Sequence, residues 1–202
     1  MSAAQFSPPA DRNKQPILEV LLRLLPPRGA ALEIASGTGQ HAAWFAAGLP
    51  GWTWQPTDRS DKGFESIATW SAEAGAAGVL APKVLDVTAT AWPLGGRAFD
   101  LIYCANMLHI SPWATCAGLM QGAARHLTPE GMLIVYGPFL EDDVSTTDGN
   151  LAFDQSLRQR NPAWGIRRRE DVVATAVEAG LRLRERVAMP ADNLMLGFVR
   201  GT

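Results

Sequence analysis

Two apolar periods alternate along this chain, and each change of period marks a boundary between a helix and a strand. Residues 13–25 place apolar side chains at helical spacing and stop at Pro26-Pro27. A first strand is predicted at 30–34, then a helix at 38–47 closed by Gly48. Residues 52–57 read as a second strand ending at Asp58, an Ala-rich helix follows at 60–77, and a short third strand at 82–85 ends at Asp86. The run 98–104 is almost continuously apolar, as expected of a strand buried on both faces. A helix at 113–127, a fifth strand at 131–137 and helices at 150–160 and 170–179 continue the alternation. Strands at 181–188 and 193–200 then follow each other with a short link, which fits an antiparallel hairpin. The pattern predicts an α/β fold: a doubly wound, mostly parallel sheet of seven strands with helices on both faces and that hairpin at its end.

Composition narrows the class without changing the fold. At 202 residues, with 47% hydrophobic and 19% charged residues, the chain suits one core, and a single domain over 1–202 is expected. A net charge of −2 offers no basic field for nucleic acid or an anionic membrane. The longest apolar stretch, 17–25, is broken by Glu19 and Arg23 and is too short to span a bilayer. The first residues lack the apolar core of a signal peptide, so a cytoplasmic protein is expected. Cys104 and Cys116 stand eleven residues apart, neither a zinc knuckle nor a redox pair, and no metal site or disulfide framework is expected.

The chemistry lies where polar residues interrupt the strands. Open α/β sheets bind ligands beyond the carboxyl ends of their strands, near the switch point. Here Gly37 and Gly39 follow the first strand, Asp58 the second, Asp86 the third and Asn106 the fourth. Close glycines at a strand-to-helix turn let backbone approach a ligand, and the helix start behind them presents unpaired N–H groups. Asp58 lies 19 residues beyond Gly39, near the distance at which an acid meets both hydroxyls of a ribose. A carboxylate accepts two hydrogen bonds from such a diol, and Asp86 could accept from the exocyclic amine of adenine. A single Asp in a loop is commonly a cap; three strand ends in register with a glycine turn favour a nucleotide-type cofactor.

Together, Glu33-x-x-x-Gly37-x-Gly39, Asp58, Asp86 and the 100–106 strand resemble the Rossmann-like S-adenosylmethionine-dependent methyltransferases. Ala35 replaces the first glycine of their usual pattern. The segments 7–14, 32–41, 106–113 and 136–139 are similar to a branch of that class carrying a domain-of-unknown-function label, whose animal relatives are called methyltransferase-like protein 26. The resemblance runs over nearly the whole chain. It implies S-adenosylmethionine as cofactor, with Glu33 and the turn Ala35, Ser36, Gly37 and Gly39 at its methionine end. It further implies Asp58 on the ribose, Asp86 with the Val87 backbone on the adenine, and Asn106 beside the sulfonium. Residues 1–26 would form an N-terminal lid segment and helix, with Arg12, Asn13 and Lys14 folding over the cofactor or else starting a solvated helix.

Methyl transfer needs alignment, and a base where the acceptor must lose a proton. Of three histidines, His126 ends a helix and reads as structural, while His41 starts the first helix and is expected to face loop backbone. His109 follows the fourth strand at the mouth where substrate enters; with Asn106 it is the catalytic candidate, a satisfied structural histidine being the alternative. Trp113, Tyr136, Phe139 and Trp164 line an acceptor pocket or pack ordinarily. The cluster Arg158, Arg160, Arg167, Arg168 and Arg169 reads as a solvated face or an anion site, and 140–149 as a mobile loop suited to a lid. The expected function is methyl transfer to a small-molecule acceptor, the alternatives being a non-catalytic cofactor-binding module and an NAD(P)-dependent oxidoreductase. The chain lacks a Tyr-x-x-x-Lys pair, a Gly-x-Ser-x-Gly elbow and a phosphate-binding Gly-x-x-x-x-Gly-Lys loop, which weighs against dehydrogenases, hydrolases and NTPases.

Overall fold

Alternation along the first strand sorts the whole interior. In β1 (Gly29–Ile34), Leu32 and Ile34 enter one core layer while Ala31 enters the other. The computed structural model, which describes residues 4–201, builds the rest around this strand. β2 (Trp52–Asp58) and β3 (Lys83–Val84) lie to one side of it, and β4 (Phe99–Ala105) and β5 (Leu127–Leu140) to the other. These five strands are parallel; β8 (Asn193–Arg200) then pairs antiparallel with both β5 and β7 (Leu181–Met189). The order is β3-β2-β1-β4-β5-β8-β7, with a two-residue strand, β6 (Arg167–Arg168), pairing off the path beside Phe139 and Leu140. The doubly wound, mostly parallel sheet with its antiparallel hairpin is therefore present, with eight strands rather than seven.

One sheet face carries Leu32, Ile102 and Leu133 against Leu119 of α4 (Ala114–His126) and Val172 of α6 (Arg169–Glu178). The other carries Ala31, Leu101 and Tyr103 against Ile17 and Leu21 of α1 (Pro8–Leu24) and Phe45 of α2 (Gln40–Gly48). No helix among the described residues is long and apolar enough to cross a membrane.

Several boundaries move for identifiable reasons. The first helix begins at Pro8, not at residue 13: Ser7 caps it by accepting from the Ala10 N–H, and two prolines occupy the first turn, where no N–H is needed. The helix expected at 60–77 shrinks to α3 (Phe64–Glu73) after a short 3-10 turn at Asp61–Gly63; the left-handed Gly75 (φ +61°) lies just beyond it. β5 outruns its predicted 131–137 because β8 supplies partners as far as Pro138.

Gly118 docks α4 against the loop after β3, where an added Cβ would lie 2.5 Å from the Val87 carbonyl oxygen. Gly118→Ala should therefore force backbone apart at a cost of about 1–3 kcal/mol. The expected loss in Tm is roughly 2–4 °C per kcal/mol for a chain of this size. A thermal melt matching wild type would refute this close docking.

Candidate functional site

The chain winds outward from β1 to β2 and β3, then crosses back to β4, so the switch point lies between the carboxyl ends of β1 and β4. Two non-glycine residues with left-handed backbone stand there: Ala35 (φ +56°) and Asn106 (φ +58°). Such conformations cost of order 1 kcal/mol or more and concentrate at functional sites. At the position where the family pattern carries glycine, Ala35 still turns as glycine would.

Below the turn, Glu33 is 2% exposed, and its Oε2 accepts from Ser36 Oγ at 3.0 Å and Trp54 Nε1 at 3.1 Å. Burial pushes its carboxyl up to about 7, against those two hydrogen bonds and with a further push from the Asp58 charge. Ser36 is stitched to β2, its N–H donating to the Thr57 carbonyl at 2.9 Å and its hydroxyl accepting from the Thr57 N–H at 3.2 Å. Asp58 Oδ2 accepts the Gly37 N–H at 2.9 Å, which brings the acid at the end of β2 onto the glycine turn. No atom lies within 4 Å of a Cβ built on Gly37, so the turn is open above. Gly39 (φ +87°) is packed instead: its added Cβ would fall 2.5 Å from the Ile67 Cα.

The residue following that turn is one that sequence reasoning missed. Gln40 is 3% exposed, and its Oε1 accepts from the Ser7 N–H at 2.5 Å and Thr38 Oγ1 at 3.1 Å. Its Nε2 is buried with no acceptor among the described residues. A buried amide that keeps its donors unpaired is costly unless a ligand supplies the acceptor.

Ahead of α1, the segment from Gln5 to Ser7 straps across this region. The Gln5 N–H donates to Ser66 Oγ at 2.8 Å, and its carbonyl accepts from Trp70 Nε1 at 2.8 Å. Asn13 Oδ1 lies 2.6 Å from His41 Nε2, whose Nδ1 is 3.2 Å from the Tyr103 hydroxyl. The amide oxygen can only accept, so His41 donates through Nε2 and accepts from Tyr103 through Nδ1. His41 thus ties α1 to β4 rather than facing loop backbone, and burial holds its pKa down at about 4. Arg12 is exposed, and its charge acts on the Tyr136 hydroxyl. Lys14 pairs with Asp11 at 2.5 Å and lies over the Trp44 ring at 4.5 Å, and its charge acts on His41.

At the far end, Asp86 Oδ1 accepts from the Thr88 N–H and hydroxyl at 2.9 and 2.7 Å, holding its carboxyl below the usual range. The Arg59 side chain stands 3.7 Å from Oδ2. Val87 is buried, and its carbonyl accepts from Trp92 Nε1 at 3.3 Å. Glu33, Ala35, Ser36, Gly37, Gly39, Asp58 and Asn106 are therefore brought around one switch point. Asp86 and Val87 extend the same edge past β2.

Across the switch point, His109 sits on the 3-10 turn Leu108–Ile110, 7% exposed, with the Phe153 ring edge-on at 5.5 Å. Its carbonyl accepts from the Gly165 N–H at 3.0 Å. Burial, then the charges of Arg167 and Arg160, push its pKa down to about 4, so the ring is neutral at pH 7. Arg167 shapes this turn by donating to the carbonyls of Leu108 (3.0 Å) and Ser111 (2.6 Å).

Three of the five arginines of the basic cluster fasten neighbouring side chains. Arg158 pairs with Asp154, Arg168 with Asp142, and Arg169, joined by Arg186, with Glu141. The bonds to Glu141 and Asp142 pin the start of the loop at 140–149, which lines a cavity of about 190 Å³ with residues of β7 and β8 and with Asn150 of α5 (Asp148–Arg160). Tyr136 and Phe139 are core residues, and His126 stacks on Trp92, as a structural histidine should.

The same architecture recurs among solved methyltransferases. An O-methyltransferase family protein from Burkholderia thailandensis superposes with a TM-score of 0.79 at 19% identity, over 96% of this chain and 57% of that one. The S-adenosylmethionine-dependent methyltransferase SibL gives 0.76 at 22% identity, over 96% and 56%. CalO1, a methyltransferase in calicheamicin biosynthesis in its S-adenosylhomocysteine-bound form, gives 0.74 at 16% identity, over 94% and 54%. The chain spans just over half the length of these proteins, and the likeness is one of fold. The class is thus a Rossmann-like methyltransferase fold. Residues 4–200 match the family described as "Protein of unknown function (DUF938)", and the chain belongs to that family.

Proposed function

We propose that this chain is an S-adenosylmethionine-dependent methyltransferase acting on a small-molecule acceptor as one domain in the cytoplasm. One juxtaposition carries the reading: the Asp58 carboxylate reaches the open glycine turn, which Gln40 follows with an Nε2 that has no partner among the described residues. The donor set suits the cofactor's two ends. Gln40 Nε2 and the N–H groups of the turn present donors to the methionine carboxylate, with Arg12 close to the entrance. The methionine ammonium finds acceptors in the turn's carbonyls, with Glu33 beneath acting through Ser36. Asp58 takes the ribose hydroxyls. Asp86 Oδ2 and the Val87 N–H meet the adenine, since the Val87 carbonyl is already engaged. When bound, the cofactor supplies an electrophilic methyl group whose S–C bonding pair returns to sulfur as the acceptor's lone pair forms the new bond. Asn106 would stand beside the reacting methyl, and His109 would accept the acceptor's proton. The segments at 7–14, 32–41, 106–113 and 136–139 also support kinship with methyltransferase-like protein 26.

Calorimetric titration tests this directly. S-adenosylhomocysteine should bind and raise the Tm, while NADH should do neither; the reverse would establish a dehydrogenase instead. Metabolite extracts incubated with methyl-labelled cofactor should yield a labelled product. Tight cofactor binding with no label in any fraction would make the chain a binding module.

A further inference from the structure

The hydrogen bonds that hold the strap at Gln5 and Ser7 down fall on the glycine turn or on α3. The Ser7 N–H meets Gln40 Oε1, which also takes the hydroxyl of Thr38 from the middle of the turn. The Gln5 N–H meets Ser66 Oγ, and that hydroxyl donates to the Thr38 carbonyl at 2.7 Å. The Trp70 indole closes the set on the Gln5 carbonyl. α3 is itself seated on the turn, through the close approach of Gly39 to Ile67. Strap, turn and α3 therefore hold together or part at these few bonds.

One of the bonds orients a second group. A backbone N–H can only donate, so Ser7 fixes Oε1 of Gln40 toward the strap and leaves Nε2 as the other end of the amide. That Nε2 is buried with no acceptor among the described residues, on a side chain 3% exposed. A strap closed over the turn thus carries an unpaired buried donor unless a ligand supplies the acceptor. The same place favours a negative acceptor. α2 starts at Gln40 with no side-chain cap on its first N–H groups and no acid in its first turn, so its positive end is uncompensated.

We propose that Gln40 makes closure of the strap conditional on the methionine carboxylate, so that the protein tells ligands carrying that group from adenosyl thioethers lacking it. This rests on the cofactor reading above. A carboxylate oxygen accepts from Nε2 while Oε1 holds Ser7, and both ends of the amide are then engaged. Because the coupling is reciprocal, the closed strap strengthens the hold on the carboxylate in turn. A thioether without the carboxylate still meets Asp58 and Asp86, but it leaves the buried donor unpaired and the strap open.

Amide exchange followed by NMR on ligand-saturated protein tests the coupling. S-adenosylhomocysteine should slow exchange of the Gln5 and Ser7 amides by about 10-fold or more and shift the Trp70 indole signal. Its decarboxylated analogue, S-adenosylthiopropylamine, should leave all three signals as they are in the free protein. Equal protection by the two ligands, or none by either, would overturn the conditional closure. Calorimetry assigns the effect to Gln40. Gln40→Met should lower S-adenosylhomocysteine affinity by about 10-fold and the analogue's by less than about twofold, since one hydrogen bond to a charged group is lost. A purely structural clasp would weaken both ligands alike, and an unchanged ratio of affinities would overturn the assignment. Should the variant not fold, the exchange comparison on wild type decides by itself. Failure of wild type to bind S-adenosylhomocysteine at all would instead defeat the cofactor reading.

Discussion

Asp58→Ala should weaken S-adenosylhomocysteine binding by about 100-fold while leaving the fold intact. Oδ2 meets the Gly37 N–H, and Oδ1 takes no hydrogen bond among the described residues, so the carboxylate has acceptor capacity left for a ribose diol. Each hydrogen bond to a charged group contributes roughly 1.5–3 kcal/mol, and losing two is on the order of 3 kcal/mol or more, hence the two decades. The side chain is partly exposed and lies outside both core clusters, so thermal unfolding of the free protein should change little. Unaltered affinity by calorimetry would remove Asp58 from the ribose. Asp86→Ala should cost less, because Oδ1 already serves Thr88.

Glu33→Gln should restore part of the stability that the protein loses as pH rises from about 4.5 to about 7. Burial raises the Glu33 carboxyl from 4.5 to about 7, so between those values the folded state binds more protons than the unfolded state. Stability attributable to this group therefore falls as pH rises through that window. At about 1.4 kcal/mol per pH unit, the ionised form costs roughly 3 kcal/mol by pH 8. Glutamine keeps an oxygen for Ser36 Oγ and Trp54 Nε1 but carries no charge. His41 and His109 act in the opposite sense. Their folded pKa values of about 4 give stability that is present above pH 6.5 and lost as pH falls toward 4. Both histidines remain in the variant and cancel in the difference. Urea unfolding at pH 5 and pH 8 should show the variant gaining on wild type by roughly 3 kcal/mol between the two; parallel curves would show that folding does not shift the Glu33 carboxyl.

Local periodicity made the strands around the switch point legible. The readings at 30–34, 52–57 and 98–104 agree with β1, β2 and β4 to within a residue or so at each end, because alternating or continuous apolar runs are properties of neighbouring residues. The glycines after β1 and the acids at the ends of β2 and β3 were visible for the same reason. The helix from Pro8 was legible only from 13 on, since prolines inside a first turn look like breakers until the Ser7 cap is recognised. β6 has two residues and no period of its own. The arginine cluster could not be read locally: Arg168 and Arg169 find partners 26 and 28 residues away.

By itself the sequence determined a doubly wound sheet and a glycine turn with acids at the strand ends, because those depend on residues adjacent in the chain. Only the tertiary structure decided what each polar group faces. It joined His41 to Asn13 and Tyr103, 28 and 62 residues away, placed Asp58 on Gly37, and left Gln40 Nε2 without a partner among the described residues. It also set Gln5 and Ser7 of the strap on Ser66 and Gln40, since a hydrogen bond or an unpaired donor depends on distances that only packing fixes.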